Sequence, residues 1–298
     1  MRFKTLFAVC ALFGSLFQSS PSLSETLRTA WLGEHEAFLT WYAKEKGWDK
    51  EAGLDIIMLR FDSGKSLIEN VRAYDWAIAG CGAVPAMQAT MSDQVEVIAI
   101  AIDDSSANMS LTRPDSPILA EKGFNPDFPN VFGTPESVKG KLILCPKKTS
   151  ARYLLDKWLA ALGLEEKDVK IEELEPTPAL GAFKGTAISS PSVAVHPRAE
   201  TLGFKVAAHS QDCGATQPVS LTRIARSRKI RTCVRFENLC GLWMRSRRRA
   251  RNIDPAMLLR GVDGQKVFEA DAAAELRNIP SFRWRSSLPC SGKMGKAR

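Results

Sequence analysis

Compact apolar runs and amphipathic stretches take turns along this chain. Leu27–Leu32 reads as a strand, and Leu54–Phe61 as a second, mostly apolar one of the kind buried in a parallel sheet. Between them, Glu36–Lys46 carries Phe38, Trp41 and Tyr42 on one helical face and stops at Gly47. Ser66–Tyr74 is a short helix after the Asp62-Ser63-Gly64 turn. Trp76–Ala79 is a strand, Val84–Met91 a helix, and Val95–Ile102 a strand rich in β-branched residues. The stretch from Asp115 to Gly133, with its Pro, Gly and Asn, reads as a long connection. Leu142–Cys145 is then a strand. Thr149 and Ser150 cap a helix to Leu162, whose Leu154, Leu155, Trp158, Leu159 and Leu162 keep helical spacing. Val169–Leu174, a short Thr177–Phe183 helix and Phe204–Ala208 complete the pattern. Strand and helix alternate throughout, which predicts parallel α/β sheets.

The first residues have another character. Arg2 and Lys4 precede the 12-residue apolar run Leu6–Phe17, and a polar stretch ends at Ser22-Leu23-Ser24. This is the order of a secretory signal, and the run falls short of the roughly 20 residues that span a bilayer. A cleaved signal over 1–24 is expected, leaving a mature chain of about 274 residues. Cys10 lies inside the run rather than after it, which argues against a lipid anchor.

Composition is ordinary for a globular protein, at 45% hydrophobic and 25% charged. The net charge of +8 is unevenly placed. Residues 1–220 hold 22 basic and 27 acidic residues, whereas 221–298 hold 19 and 6. Thr222–Arg251 alone carries eleven basic residues and one acid, Glu237. The seven cysteines show no C-x-x-C pair or zinc-like spacing, and the three histidines form no i, i+4 pair. No metal and no cofactor is expected.

Four segments carry more specific information: W-L-G-E-H-E at 31–36, E-A-G-L-D-I at 51–56, F-D-S-G at 61–64 and D-W-A-I-A-G-C-G-A-V-P at 75–85. Three of them mark junctions of strand and helix. In an open α/β sheet such junctions gather at the carboxyl ends of the strands, where ligands bind. Their order and spacing resemble the solute-binding proteins of bacterial ABC importers, in the nitrate/sulfonate/taurine group. The resemblance covers roughly 25–185 and 198–221.

It implies a periplasmic-binding-protein-like fold of type II: two α/β lobes with a ligand cleft between them. Lobe 1 would be 25–112 with a return segment 210–298, and lobe 2 would be 113–209. The implied protein is a periplasmic, monomeric binder of a small polar molecule that serves an inner-membrane ABC permease and catalyses nothing. The candidate ligand residues are Gly33, Glu34, His35 and Glu36 after the first strand; Asp62, Ser63 and Gly64; Gly80, Cys81 and Gly82; Thr149 and Ser150; and Asp212. Glycines let a solute approach bare backbone, and amides at a helix start favour an anion. Glu34, Glu36 and Asp62 would instead suit an amine-bearing ligand. The same residues admit plainer roles, as helix caps and tight turns. Pyrimidine-precursor synthases share the resemblance, and in such an enzyme His35 and Cys81 would carry the chemistry. An export signal argues against it, because that biosynthesis is cytoplasmic. A degenerate, inactive copy is a third alternative.

The resemblance breaks in three places. At 186–197 the chain reads T-A-I-S-S-P-S-V-A-V-H-P, where the family carries Asp and Trp-x-Pro. It lapses again from Thr222, returns faintly over 270–282, and is lost from Arg283. Three explanations compete for 222–251: an anionic-membrane or nucleic-acid patch, a solvated basic tail, or a shifted reading frame here and at 186–197 and 283–298. Off-frame translation of a GC-rich gene yields Arg, Ser, Pro and Cys in patternless order, as seen here, and an exported chain meets no nucleic acid. The stretch is therefore expected not to form the amphipathic helices of the fold, and lobe 1 to lose part of its core.

Overall fold

The computed structural model describes residues 25–33, 35–182, 187–189 and 203–224. The export segment, Glu34, most of 186–197 and everything after Ile224 lie outside the described residues. In chain order the first elements are β1 (Glu25–Leu32), α1 (Phe38–Glu45), α2 (Trp48–Glu51), β2 (Leu54–Phe61), α3 (Gly64–Glu69), α4 (Val71–Tyr74), β3 (Ile78–Gly82), α5 (Ala83–Met91) and β4 (Val95–Asp103). There follow β5 (Met109–Thr112), α6 (Pro135–Val138), β6 (Leu142–Leu144), α7 (Ser150–Ala161), β7 (Lys170–Glu172), α8 (Pro176–Ala182), β8 (Ala187–Ser189), β9 (Lys205–His209) and β10 (Pro218–Ile224).

These strands form two five-stranded sheets, ordered β2-β1-β3-β10-β4 and β7-β6-β8-β5-β9. Each sheet is mixed rather than wholly parallel. In the first, β1 runs parallel to β2 and β3, but β10 is antiparallel to both β3 and β4. In the second, β6 is parallel to β7 and β8, while β5 is antiparallel to β8 and β9. The reason is connectivity. Both antiparallel strands arrive from the other lobe, so each enters its sheet from the end opposite to the local strands. Both were absent from the sequence expectation: β5 is only four residues long, and β10 opens with a proline and runs into the basic stretch.

The centre of the first sheet is covered on both faces. Leu27 and Trp31 of β1 face one core with Phe38, Tyr42, Trp48, Ile56 and Leu221. Ala30 and Leu32 face the other with Leu67, Trp76, Ala86 and Val95. This period-2 split within a mostly apolar strand is the mark of burial on two sides. The Trp31 indole N–H donates to Thr29 Oγ1 at 2.8 Å, so a fully buried polar group is satisfied. In lobe 2 the α7 stripe Leu154, Leu155, Trp158, Leu159 and Leu162 packs on Ile143, Val131 and Ala207. Thr149 caps that helix, its hydroxyl accepting from Arg152 N at 3.3 Å, as its sequence predicts.

Helix boundaries differ in detail. The predicted Ser66–Tyr74 helix is two pieces separated at Asn70, whose side-chain amide donates to Ser66 O. That bond competes with the helical ladder. Thr222–Ile224, at the head of the basic stretch, belongs to β10. Thr222 is fully buried and donates to Ala79 O, and Arg223 is paired with Glu96 at 2.8 Å. The sheet of lobe 1 therefore keeps its returning strand, while Ile57, Val97 and Ile100 on its edge strands β2 and β4 are exposed. The rest of the stretch, 225–251, lies outside the described residues.

Gly80 packs directly beneath Trp31. A Cβ there would lie 2.6 Å from the indole ring, which is fully buried and has nowhere to move. Gly80→Ala is expected to destabilise the protein by about 1–3 kcal/mol, read as a lowered midpoint in denaturant or heat.

On the surface of lobe 2, Arg152 Nε holds Glu166 at 2.9 Å and lies 3.6 Å from Asp156. Partial burial, and then the neighbouring Glu166, push the Asp156 carboxyl up from 3.8 to about 6. The folded state thus binds a proton more tightly than the unfolded one. Its stability is fully present below about pH 4 and falls as pH rises through about 6. Asp156→Asn is expected to raise stability above pH 6, by under about 1 kcal/mol because the side chain is half exposed, and to match the parent chain below pH 4. Urea melts at pH 4 and pH 7.5 measure it.

Candidate functional site

The lobes are joined by two short crossing segments that hydrogen-bond to each other. Asp104 N donates to Gln217 O at 2.7 Å, Ser210 N to Asn108 O at 2.9 Å and Gln211 N to Ser105 O at 2.9 Å. Ser105 Oγ accepts from Gln217 N and donates to Asp103 Oδ1. The Gln217 side chain reaches lobe 2, donating to Ser150 O at 2.8 Å.

Above this crossing lies a cleft. Its walls are Leu32, Glu36, Ser63, Gly64, Gly82 and Pro85 from lobe 1 and Pro146, Thr149, Ser150, Ala151 and Pro176 from lobe 2, with Asp104 and Asn108 at the base. Of the sequence candidates, Glu36, Ser63, Gly64, Gly82, Thr149 and Ser150 come together here. Five lie at helix starts, with Gly64 the first residue of α3. Ser63 caps α3, its hydroxyl accepting from Ser66 N at 3.1 Å; Gly82 precedes α5; Thr149 and Ser150 open α7. Glu36 is buried, and its Oε1 accepts from Leu32 N at 3.2 Å. Glycine is needed at two positions for space. A Cβ at Gly64 would meet the Pro85 ring at 2.5 Å, and one at Gly82 would meet Ser150 Oγ at 2.1 Å. The lobes thus touch where Gly82 meets Ser150, and the space left is about 40 Å³, enough for one or two waters.

The other candidates sit elsewhere. Gly33 is half-buried at the end of β1, and His35 begins a 3-10 turn. Glu34 lies outside the described residues. Gly80 packs under Trp31. Cys81 is fully buried in the second core of lobe 1, where burial and the nearby Glu36 push its thiol far above the ordinary range. Asp62 stands at the mouth and holds lobe 2, accepting from Thr177 Oγ1 at 2.6 Å and from Thr177 N at 3.3 Å. Lys65 makes a second such link, to Glu173 at 2.8 Å. Asp212 is engaged inside lobe 2 with His209 Nδ1 at 2.9 Å. Two cleft residues, Asp104 and Asn108, were not foreseen. Their signal was the D-D-S-S-A-N run that directly follows the strand at 95–102. Among the described residues no cluster of three or more His, Cys, Asp or Glu could hold a metal ion.

With this geometry in place, comparison with known proteins is informative. No family model matches the chain. A protein of Brachyspira hyodysenteriae that bears the name of an ABC transporter periplasmic binding protein is 29% identical over 205 residues, 67% of this chain. The match spans 58% of that relative's length. Among solved structures, the alkanesulfonate-binding protein SsuA of Xanthomonas axonopodis pv. citri, bound to MOPS, superposes with a TM-score of 0.65 at 20% identity. It covers 86% of this chain and 84% of its own. SsuA of Escherichia coli gives 0.66 at 18%, with the same coverage. The nitrate-binding protein NrtA of Synechocystis PCC 6803 gives 0.64 at 14%, covering 83% of this chain and 68% of its own. The fold is that of the periplasmic binding proteins, two α/β lobes about a cleft.

Gly82→Trp is expected to prop the lobes apart at the Gly82–Ser150 contact. The backbone there is unstrained for a side chain, at φ −55°, so lobe 1 should still fold. The checks are an increase in radius of gyration by small-angle scattering and an unchanged far-ultraviolet circular dichroism spectrum.

Proposed function

We propose that this protein is the solute-binding subunit of an ABC importer. It is exported by its first 24 residues, works as a monomer in the periplasm, and delivers a small polar solute to an inner-membrane permease. The observation that carries this reading is the cleft itself. Among the described residues, two lobes connected by a pair of hydrogen-bonded crossing segments meet over buried polar groups, and solute enters when they part. Hinge closure around a ligand is the motion such an arrangement permits. Links at the mouth, Asp62 to Thr177 and Lys65 to Glu173, form only when the lobes are together. They would favour the closed form by a small amount, since exposed pairs contribute about 0–1 kcal/mol each. Sulfonate and nitrate are the solutes named for the solved neighbours. No bond chemistry is assigned to the cleft. The Cys81 thiol is buried and held protonated, which is the opposite of an activated nucleophile.

The exported full chain, screened by thermal shift against amines, sulfonates, nitrate and pyrimidines, is expected to gain several degrees with one class. Saturating ligand at about 100 times its Kd adds about 2.7 kcal/mol. Small-angle scattering should show compaction with the same compound. Turnover of any compound in the screen, or stabilisation with no compaction, would count against a transport-binding role.

A further inference from the structure

We propose that Asn108 selects the solute: its side-chain carbonyl receives an N–H or O–H group, so the cleft takes a small polar molecule that carries a hydrogen-bond donor. This rests on the solute-binding reading above. Asn108 stands in the first crossing segment, and its backbone is committed on both sides. Its N–H donates to Asp104 O at 2.9 Å, and its carbonyl accepts from Ser210 N at 2.9 Å. The side chain is 5% exposed and lines the cleft with Ser63, Gly82 and Ser150. Its Nδ2 donates to Asp104 Oδ2 at 3.2 Å. A carboxylate only accepts, so the amide nitrogen is fixed on that side and Oδ1 lies at the other end of the group. Oδ1 is buried without a hydrogen-bond partner. The fold thus uses the nitrogen and leaves the oxygen unpaired. A buried acceptor in that state is costly, and such exceptions are few in native proteins. At a cleft wall, the missing donor comes with the solute.

A second group at the cleft is in the same state. Ser150 Oγ, at the start of α7 in the opposing lobe, is also buried without a partner. The two differ in what they can receive. A hydroxyl turns to donate or to accept, whereas an amide oxygen held in place by its own nitrogen accepts only. Lobe 2 therefore offers an adaptable contact, and the crossing segment offers a selective one. An O–H or N–H group satisfies both. Nitrate and an unsubstituted alkanesulfonate present only acceptor oxygens, which would set lone pairs against Oδ1 and leave it unpaired. Sites that hydrogen-bond a substrate hydroxyl or amine reject the analogue lacking it far more strongly than an apolar pocket rejects a missing methylene. The selection is for a donor, and it holds whatever the net charge of the cleft or of the solute.

The test is calorimetry on the exported full chain, with probes paired in charge and shape. 2-Hydroxyethanesulfonate is compared with 1-propanesulfonate, a methyl in place of the hydroxyl, and acetamide with acetone, a methyl in place of the amine. In whichever pair binds, the member with the donor is expected to bind at least tenfold more tightly. Asn108→Leu, close in volume, is expected to cut that preference at least fivefold. An asparagine that only braced Asp104 would, on replacement, weaken both members alike and leave their ratio intact. If the variant fails to fold, the ratio on the parent chain decides. A preference under tenfold on the parent chain, or one that survives Asn108→Leu, would overturn the donor assignment, and binding with compaction in scattering would leave the importer reading standing. Absence of binding and of compaction with every probe would overturn both.

Discussion

The crossing segments are the constraint on which everything else depends. Asp104, Ser105, Asn108, Ser210 and Gln217 exchange backbone and hydroxyl hydrogen bonds across a span of two strands of chain. Each segment then continues into a strand of the lobe it enters, β5 on one side and β10 on the other. In both sheets the arriving strand sits antiparallel beside the third strand of its new lobe. The hinge is therefore anchored at both ends by sheet hydrogen bonds, and rotation is confined to a few residues between them. Asp104 and Asn108 lie within those residues and also form the cleft base. A solute that binds there touches the pivot as well as both walls.

That placement explains why small residues and helix starts dominate the walls. Lobes that close to contact at Gly82 and Ser150 leave no room for a Cβ at Gly82. Capping hydroxyls satisfy the amides of α3 and α7 without adding bulk. The longer polar side chains, Asp62, Lys65 and Glu173, are displaced to the mouth, where solvent can receive them when the lobes part. Among the described residues that line the cleft, Glu36 and Asp104 are the buried carboxyl side chains.

Much of the architecture was legible in the chain, and the reasons are specific. Leu54–Phe61 matched its strand to the residue, because a mostly apolar, β-branched run between two turns reads as a strand even at the edge of a sheet. Thr149 as the cap of α7 was legible from a hydroxyl before a clean helical stripe. The crossing strands β5 and β10 were not. Met109–Thr112 is only four residues long, and Pro218–Ile224 opens with a proline and runs into the basic stretch at Arg223, which masked its alternation; both pair with strands distant in sequence. At the site, junction residues such as Ser63 and Gly82 were legible because strand–helix turns converge on one edge. Cys81 and Gly80 shared that turn, but the pleat directs alternate residues to opposite sides, so they fell into the core and under Trp31. Asp212 was drawn away by His209, three residues earlier.

The same reasoning moves the point at which the chain departs from its fold. Composition places that boundary at Thr222, where basic residues begin. Yet Val219 and Leu221 enter one core of lobe 1, while Thr222 is buried and Ile224 packs on the other core. This is strand periodicity carried through three residues of the basic stretch. Arg223, the first arginine of that stretch, meets Glu96 on the neighbouring strand rather than standing unpaired. A shifted frame would have no reason to supply an apolar, β-branched and charge-matched sequence at successive positions of a five-stranded sheet. Any change of frame in the basic stretch therefore falls after Ile224, beyond the strand that completes the pairing of the first sheet.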